Sequence, residues 1–199
     1  MKGCLGIGAS LLILILGSFT LAAGDLPPHP EFSADMVMYH KNKVYDEGKF
    51  YMGKDAGRME MQKKMRQTQI FRMDKDVIWM VMDKNKTYME MKMQYNALVN
   101  YRPEGFSESC TAGETIDGHP TQQCHLTGQF MGKKVENDIW KATDLGGVVI
   151  RNRDGKGNGN ELKNIVRGPQ PAELFEPPAG YQKMVMPGGL GDIMKGLTN

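Results

Sequence analysis

The chain is short of several things that common enzyme classes require. Beyond residue 24 it holds only three serines, Ser33, Ser107 and Ser109, and none stands in a Gly-x-Ser-x-Gly elbow. No His-Glu-x-x-His pair occurs, and His29, His40, His119 and His125 show no metal-ligand spacing, so they read as surface or turn histidines. Gly188-Gly189-Leu190-Gly191 lacks the strand–turn–helix context that a dinucleotide loop needs. Asn152 to Glu161 resembles a calcium loop only superficially, because Lys156 stands where an oxygen ligand belongs. The expectation is a protein that is not an enzyme and carries no cofactor or metal. An excess of one charge is also missing. With 25 Lys and Arg against 23 Asp and Glu the net charge is +2, without the basic stripe of a nucleic-acid binder.

Long hydrophobic runs are missing too, apart from one near the start. Residues 1–24 read as a signal peptide, with Lys2 as a short basic region, Leu11 to Leu16 as the apolar core, and small residues at Ala22-Ala23-Gly24. That run is too short for a span of about 20 residues. The predicted organisation is a signal peptide over 1–24, an extended Pro-rich leader over 25–30, and a single β-rich domain over 31–199. The mature protein is expected in the periplasm, with no membrane span. Export would leave two of the three cysteines, Cys110 and Cys124. In an oxidising compartment an even pair reads as a disulfide, worth ~3 kcal/mol if it closes a loop of about 15 residues. The alternative is a metal site formed with His119 and His125.

From residue 36 to residue 93 there is no leucine, and the isoleucines are only Ile70 and Ile78. Methionine takes their place: twelve of the 17 lie in this stretch. Met-x-Met is written at Met36/Met38, Met59/Met61, Met80/Met82, Met89/Met91/Met93 and Met184/Met186. A spacing of two puts both side chains on one face of a strand and on different sides of a helix. A unique rigid core favours Leu, Ile and Val, with Met as a sparing gap-filler. The pattern therefore points to successive strands sharing a soft, adaptable apolar face. Its candidate ligand-binding residues are Met36, Met38, Met59, Met61, Met80, Met82, Met89, Met91 and Met93, with Trp79 beside them. Plain packing accounts for the same residues. Thioethers also suit Cu(I), though two on one strand lie ~6.6 Å apart and need a third ligand to converge.

Short alternating segments punctuated by turns give the rest of the reading. Val77 to Met82 is apolar on both faces and is expected to be a central strand covered on both sides. Asp83 to Lys86 is a polar turn, and Asp154 to Gly159 a hairpin loop. Further strands are predicted over Thr121–Leu126, carrying Cys124, over Val135–Ala142, carrying Trp140, and over Leu162–Arg167. Helix is scarce: a turn or two over Gln94–Tyr101, a short helix at Pro171–Phe175, and one over Leu190–Leu197. Roughly ten strands are expected, enough for a curved antiparallel sheet or half-open barrel.

Several stretches in order carry a family resemblance: Phe32-Ser33-Ala34-Asp35-Met36-Val37-Met38, Gly57-Arg58-Met59-Glu60-Met61, Val77-Ile78-Trp79-Met80-Val81-Met82, Thr87-Tyr88-Met89-Glu90-Met91, Ile116-Asp117-Gly118-His119-Pro120-Thr121, Ile139-Trp140-Lys141-Ala142 and Phe175-Glu176-Pro177-Pro178-Ala179-Gly180-Tyr181. Over residues 31 to 187 the chain resembles uncharacterised exported bacterial proteins near the outer-membrane lipoprotein carrier (LolA-like) fold. That resemblance implies a half-open antiparallel barrel whose concave face holds acyl chains. This chain lacks the carriers' long N-terminal helix and replaces much of their aliphatic lining with Met. The expected partner is a hydrophobic small molecule or lipid, alongside an envelope protein in the case where the Met surface docks an apolar segment.

Overall fold

A computed structural model describes residues 30–64, 66–92, 105–130 and 133–184. The predicted signal peptide, the leader up to residue 29, Met93, Met186 and the helices expected over 94–101 and 190–197 lie outside the described residues.

Two antiparallel meanders make one sheet. The first runs through β1 (Phe32–His40), β2 (Lys43–Met52), β3 (Ala56–Met61), β4 (Gln67–Arg72), β5 (Val77–Met82) and β6 (Thr87–Lys92). The second runs through β7 (Ser107–Ala112), β8 (Thr121–Phe130), β9 (Lys133–Ala142), β10 (Val148–Asp154) and β11 (Gly159–Arg167). They join where β1 pairs with β11. A short β12 (Gln182–Met184) returns to pair in parallel with β6. The 12-stranded order is β12-β6-β5-β4-β3-β2-β1-β11-β10-β9-β8-β7, leaving the sheet open with β12 and β7 as its edges.

Three hairpins use one turn device. Met73–Lys75, Asp83–Asn85 and Thr143–Leu145 are single 3-10 turns, each ending on a left-handed residue: Asp76 (φ 51°), Lys86 (φ 50°) and Gly146 (φ 65°). A polar or glycine residue tolerates that conformation, so it reverses the chain within a few residues. The expected helix at Pro171–Phe175 is present as a 3-10 segment over Ala172–Phe175.

Alternation decides the faces. Phe32, Ala34, Met36 and Met38 of β1 stand opposite Met52, Phe50, Gly48 and Asp46 of β2. Phe50 in turn faces Met59, and Gly48 faces Met61. These side chains merge with Phe71, Ile78, Ile150 and Leu162 into one buried cluster. Among the described residues no long helix covers this face, yet Phe32, Met36, Ile150 and Leu162 are fully buried. An apolar sheet face must be covered by another layer or by itself. The sheet is curved, and it buries its own inner side chains.

The outer face is apolar only where something lies over it. Ile70, Val77, Trp79 and Val81 are packed by Phe175, with Leu174 and Tyr181 at the margin. The strand read as central and covered on both faces is β5; both its faces are packed, but it lies third from the β12 edge rather than at the centre of the sheet. Its second cover is the segment carrying Ala172–Phe175 rather than a neighbouring layer of sheet.

Candidate functional site

The structure brings four predicted methionines together. Met36, Met38, Met59 and Met61 lie in the inner cluster at 0 to 4% exposure. Met91 and Met73 pack against its edge. Met80 and Met89 stand directly opposite each other on β5 and β6, on the same face by alternation and partly buried. Met82, opposite Thr87, ends this row. Trp79 does not join them. It is odd-numbered on a strand whose methionines are even, so it points to the outer face. There its indole N–H donates to Glu90 Oε2 at 3.0 Å and its ring meets Tyr88 edge-on. The inner thioethers are interdigitated with aromatic and branched side chains. A ligand on this face enters by displacing them, which unbranched Met permits better than Leu or Ile.

Sequence reasoning missed the polar residues inside this apolar wall. Asp46, Asn152 and Asn160 are buried at 0 to 1% exposure. By register they form a row with a methionine among them: Asp46 opposite Met38, Met38 opposite Asn160, Asn160 opposite Asn152. Asp46 has a structural task. Its carboxylate accepts main-chain N–H groups from Glu47 (2.8 Å), Lys63 (3.0 Å) and Lys64 (3.0 Å), fixing the turn after β3. Alternation back from Leu162 on β11 was the one available signal for Asn160, but its register with β1 comes from a pairing too distant to read.

The outer face carries charge around its apolar patch. Arg72 bridges Asp74 and Glu176, Lys75 also reaches Glu176 (2.9 Å), and Lys183 pairs with Glu90 (2.6 Å). Arg58 and Arg72 donate to the main-chain carbonyls of Leu174 (2.9 Å) and Phe175 (3.3 Å). These contacts tie the 172–184 segment down over Trp79. A cleft of about 420 Å³ remains beside it, lined by Glu31, Lys54, Asp55, Arg72, Asp74 and Glu176 among others. Its walls mix charged side chains with Gly53, Ala56, Ala172 and Phe175, unlike the inner face.

The carboxyls of this strap respond to acid in one direction. Glu90 is held below the ordinary range, chiefly by the hydrogen bond from Lys183 and then by that from Trp79. Asp74 is lowered first by its hydrogen bond from Arg72. At Glu176 burial opposes ionisation, but hydrogen bonds from Lys75 and Arg72 outweigh it. A depressed folded pKa contributes stability that is present above the unfolded value and lost as pH falls through the folded one. The strap is therefore expected to loosen as pH drops below about 4, read as a change in Trp79 fluorescence before global unfolding. An emission spectrum that stays constant until the whole sheet unfolds would remove these pairs from any part in holding the segment.

Cys110 and Cys124 are directly opposite on β7 and β8 and are joined by a disulfide, with Cα atoms 4.0 Å apart. Glu108 approaches both sulfurs, but disulfide sulfur is no thiolate ligand. The histidines of the alternative metal reading have other partners. His119 Nδ1 contacts Asp144 (2.9 Å), and His125 Nδ1 contacts Asp138 (2.9 Å). His125 follows Cys124 directly and so lies on the other face. Trp140, carried as expected on a strand, is partly buried and packs against the inner cluster with Arg151 over its ring.

A comparison with curated proteins finds no match. Among solved structures, an uncharacterized conserved protein from Thermus thermophilus is similar over 88% of this chain and 98% of its own, at 11% identity and a TM-score of 0.54. PNGF-II in one crystal form is similar over 77% of this chain at 10% identity, TM-score 0.54. In a second form the figures are 74%, 10% and 0.53. The likeness covers 30% of PNGF-II, so this chain spans under a third of that protein. At such identities the likeness is one of fold alone. Residues 33–149 match the family described as Domain of unknown function (DUF4412), and the chain belongs to that family.

Proposed function

We propose that this protein is an exported, non-enzymatic binder or carrier of a lipid-like apolar ligand, taken up on the inner face of a LolA-like half-open barrel in the periplasm. The observation that carries this reading is the convergence of Met36, Met38, Met59 and Met61 on the inner face of an open sheet. Plain packing would be served as well by Leu and Ile, which specify a rigid core better. A face rich in thioethers repacks around guests of variable shape. The open edges at β12 and β7 support entry between strands, and the Trp79 strap closes the other face.

Lipid extraction of the protein purified under native conditions, followed by mass spectrometry, is the direct test. The expected result is co-purifying amphiphile with a spread of chain lengths, as a lining that repacks around its guest would admit. Protein that yields no more lipid than an unrelated exported control would end the reading. The same convergence favours a second reading, Cu(I) bound by thioethers; the variants described in the Discussion separate the two.

A further inference from the structure

Asn152 and Asn160 are directly opposite each other on β10 and β11, 1% and 0% exposed. Among the described residues neither the amide nitrogen nor the carbonyl oxygen of either side chain has a hydrogen-bond partner. Buried polar groups are nearly always satisfied, and leaving one unpaired is costly. Four such atoms at adjacent positions on the inner face therefore ask for a partner. The main chain beneath them is tightly held. Arg153, pointing to the other face, donates to the main-chain carbonyls of both asparagines at 2.8 Å each. It pairs with Glu161 at 3.0 Å and stacks on Tyr39. Gly159 lets the strands approach so closely that a Cβ there would lie 1.9 Å from the Asn152 carbonyl oxygen. The two amides are thus presented from a rigid base, while Met38, opposite Asn160, is a flexible neighbour able to swing aside.

We infer that the Asn152–Asn160 pair is the anchor for the polar head of the apolar ligand, and that the head is neutral with two donor hydrogens and an acceptor, as in a primary amide. This rests on the apolar-ligand reading above. Each carboxamide offers N–H donors and a carbonyl acceptor, so a primary-amide head, with two N–H donors and one oxygen bearing two lone pairs, can satisfy all four atoms. An anion would leave both carbonyl oxygens unpaired. It would also sit in one row with the Asp46 carboxylate, while the neighbouring cation, Arg153, is engaged on the opposite face. Burying such a charge is unfavourable.

The test is displacement of a fluorescent apolar probe by decanamide, decanoate and methyl decanoate, three heads on chains of similar length. Wild type is expected to bind decanamide at least about tenfold tighter than either of the others. In the Asn152→Leu/Asn160→Leu double variant that advantage should vanish while methyl decanoate is unaffected. The variant removes both unpaired amides while keeping the heavy-atom count of each side chain, so the lost desolvation penalty offsets the added bulk and it is expected to fold. Equal binding of all three ligands by wild type would overturn the anchor and leave the apolar-ligand reading standing. So would a double variant that gains stability and still prefers decanamide, since the amides would then hold internal water only. If none of the three displaces the probe, the apolar-ligand reading itself fails. Should the double variant not fold, the wild-type ranking alone decides.

Discussion

Gly48→Ala is expected to lower stability by about 3 kcal/mol or more, although it adds one methyl group to a mid-strand position. Gly48 sits in β2 between Met36 of β1 and Met61 of β3. A Cβ there would lie 1.8 Å from the Glu60 carbonyl oxygen, 2.8 Å from its carbon and 3.0 Å from the Met61 Cα. All three atoms are main chain, so no rotamer change relieves the clash. Strands β2 and β3 would have to part where the sheet bends around its inner cluster, and glycine within a strand marks such close approaches. Gly155→Ala is the control, since a methyl group added there would meet nothing within 4 Å; it should stay within about 0.5 kcal/mol of wild type. Urea unfolding reads both. A Gly48→Ala midpoint equal to that of Gly155→Ala would mean that the bend does not depend on contact at this point.

Met59→Asp should be as damaging, and its contrast with leucine is informative. Met59 is 2% exposed, opposite Phe50 and Gln69. A carboxylate there would be buried with no cation opposite it, only the Phe50 ring and the neutral Gln69 amide, a change expected to cost more than about 3 kcal/mol. Leucine at Met36, Met38, Met59 and Met61 preserves volume and apolarity, at under about 1.5 kcal/mol per site. It removes the four sulfurs of the two Met-x-Met pairs on which the copper reading rests, leaving Met52 in the cluster and Met73 and Met91 at its edge. The quadruple leucine variant is therefore expected to fold, to keep most of its binding of a fluorescent fatty-acid analogue, and to hold no Cu(I) against a weak chelator. Loss of apolar binding as complete as that caused by a charge would contradict a soft, nonspecific lining. Wild-type protein that retains no Cu(I) would dispose of the copper reading on this face.

The inner face was legible because period-two alternation survives without knowledge of the partner strand. Met36/Met38 and Met59/Met61 declare their side by spacing alone, and the structure puts both pairs in one cluster. Val77 to Met82 was legible as doubly covered, but not by what. The cover comes from Phe175, far along the chain, and no local signal links it to Trp79. Placing Trp79 among the methionines goes against that same period-two alternation, since it is odd-numbered beside even methionines; blindness to distant pairing accounts for the other misses. It hid the strand Ser107–Ala112, whose Ser-Glu-Ser-Cys-Thr-Ala is mostly exposed and lacks apolar alternation. It also hid the parallel return of β12 to β6. The buried asparagines were the hardest to foresee. Asn is a turn former by propensity, and only the register of β1, β11 and β10 turns Asn152 and Asn160 inward.

That register has a temporal side. β1 is made first and lies at the middle of the sheet, with β2 on one flank and β11 on the other. The first flank closes locally, through the Lys41–Asn42 reversal. The second waits for Phe32 to meet Arg167 and for Met36 to meet Leu162. Until then the first meander presents a bare edge whose inner face is Phe32, Ala34, Met36 and Met38, the kind of edge that recruits foreign strands. Pairings this remote in sequence are slow to form. A chain crossing a membrane from its N-terminus would thus emerge with its seam open, and the two meanders would zip together only after nearly the whole polypeptide had passed through.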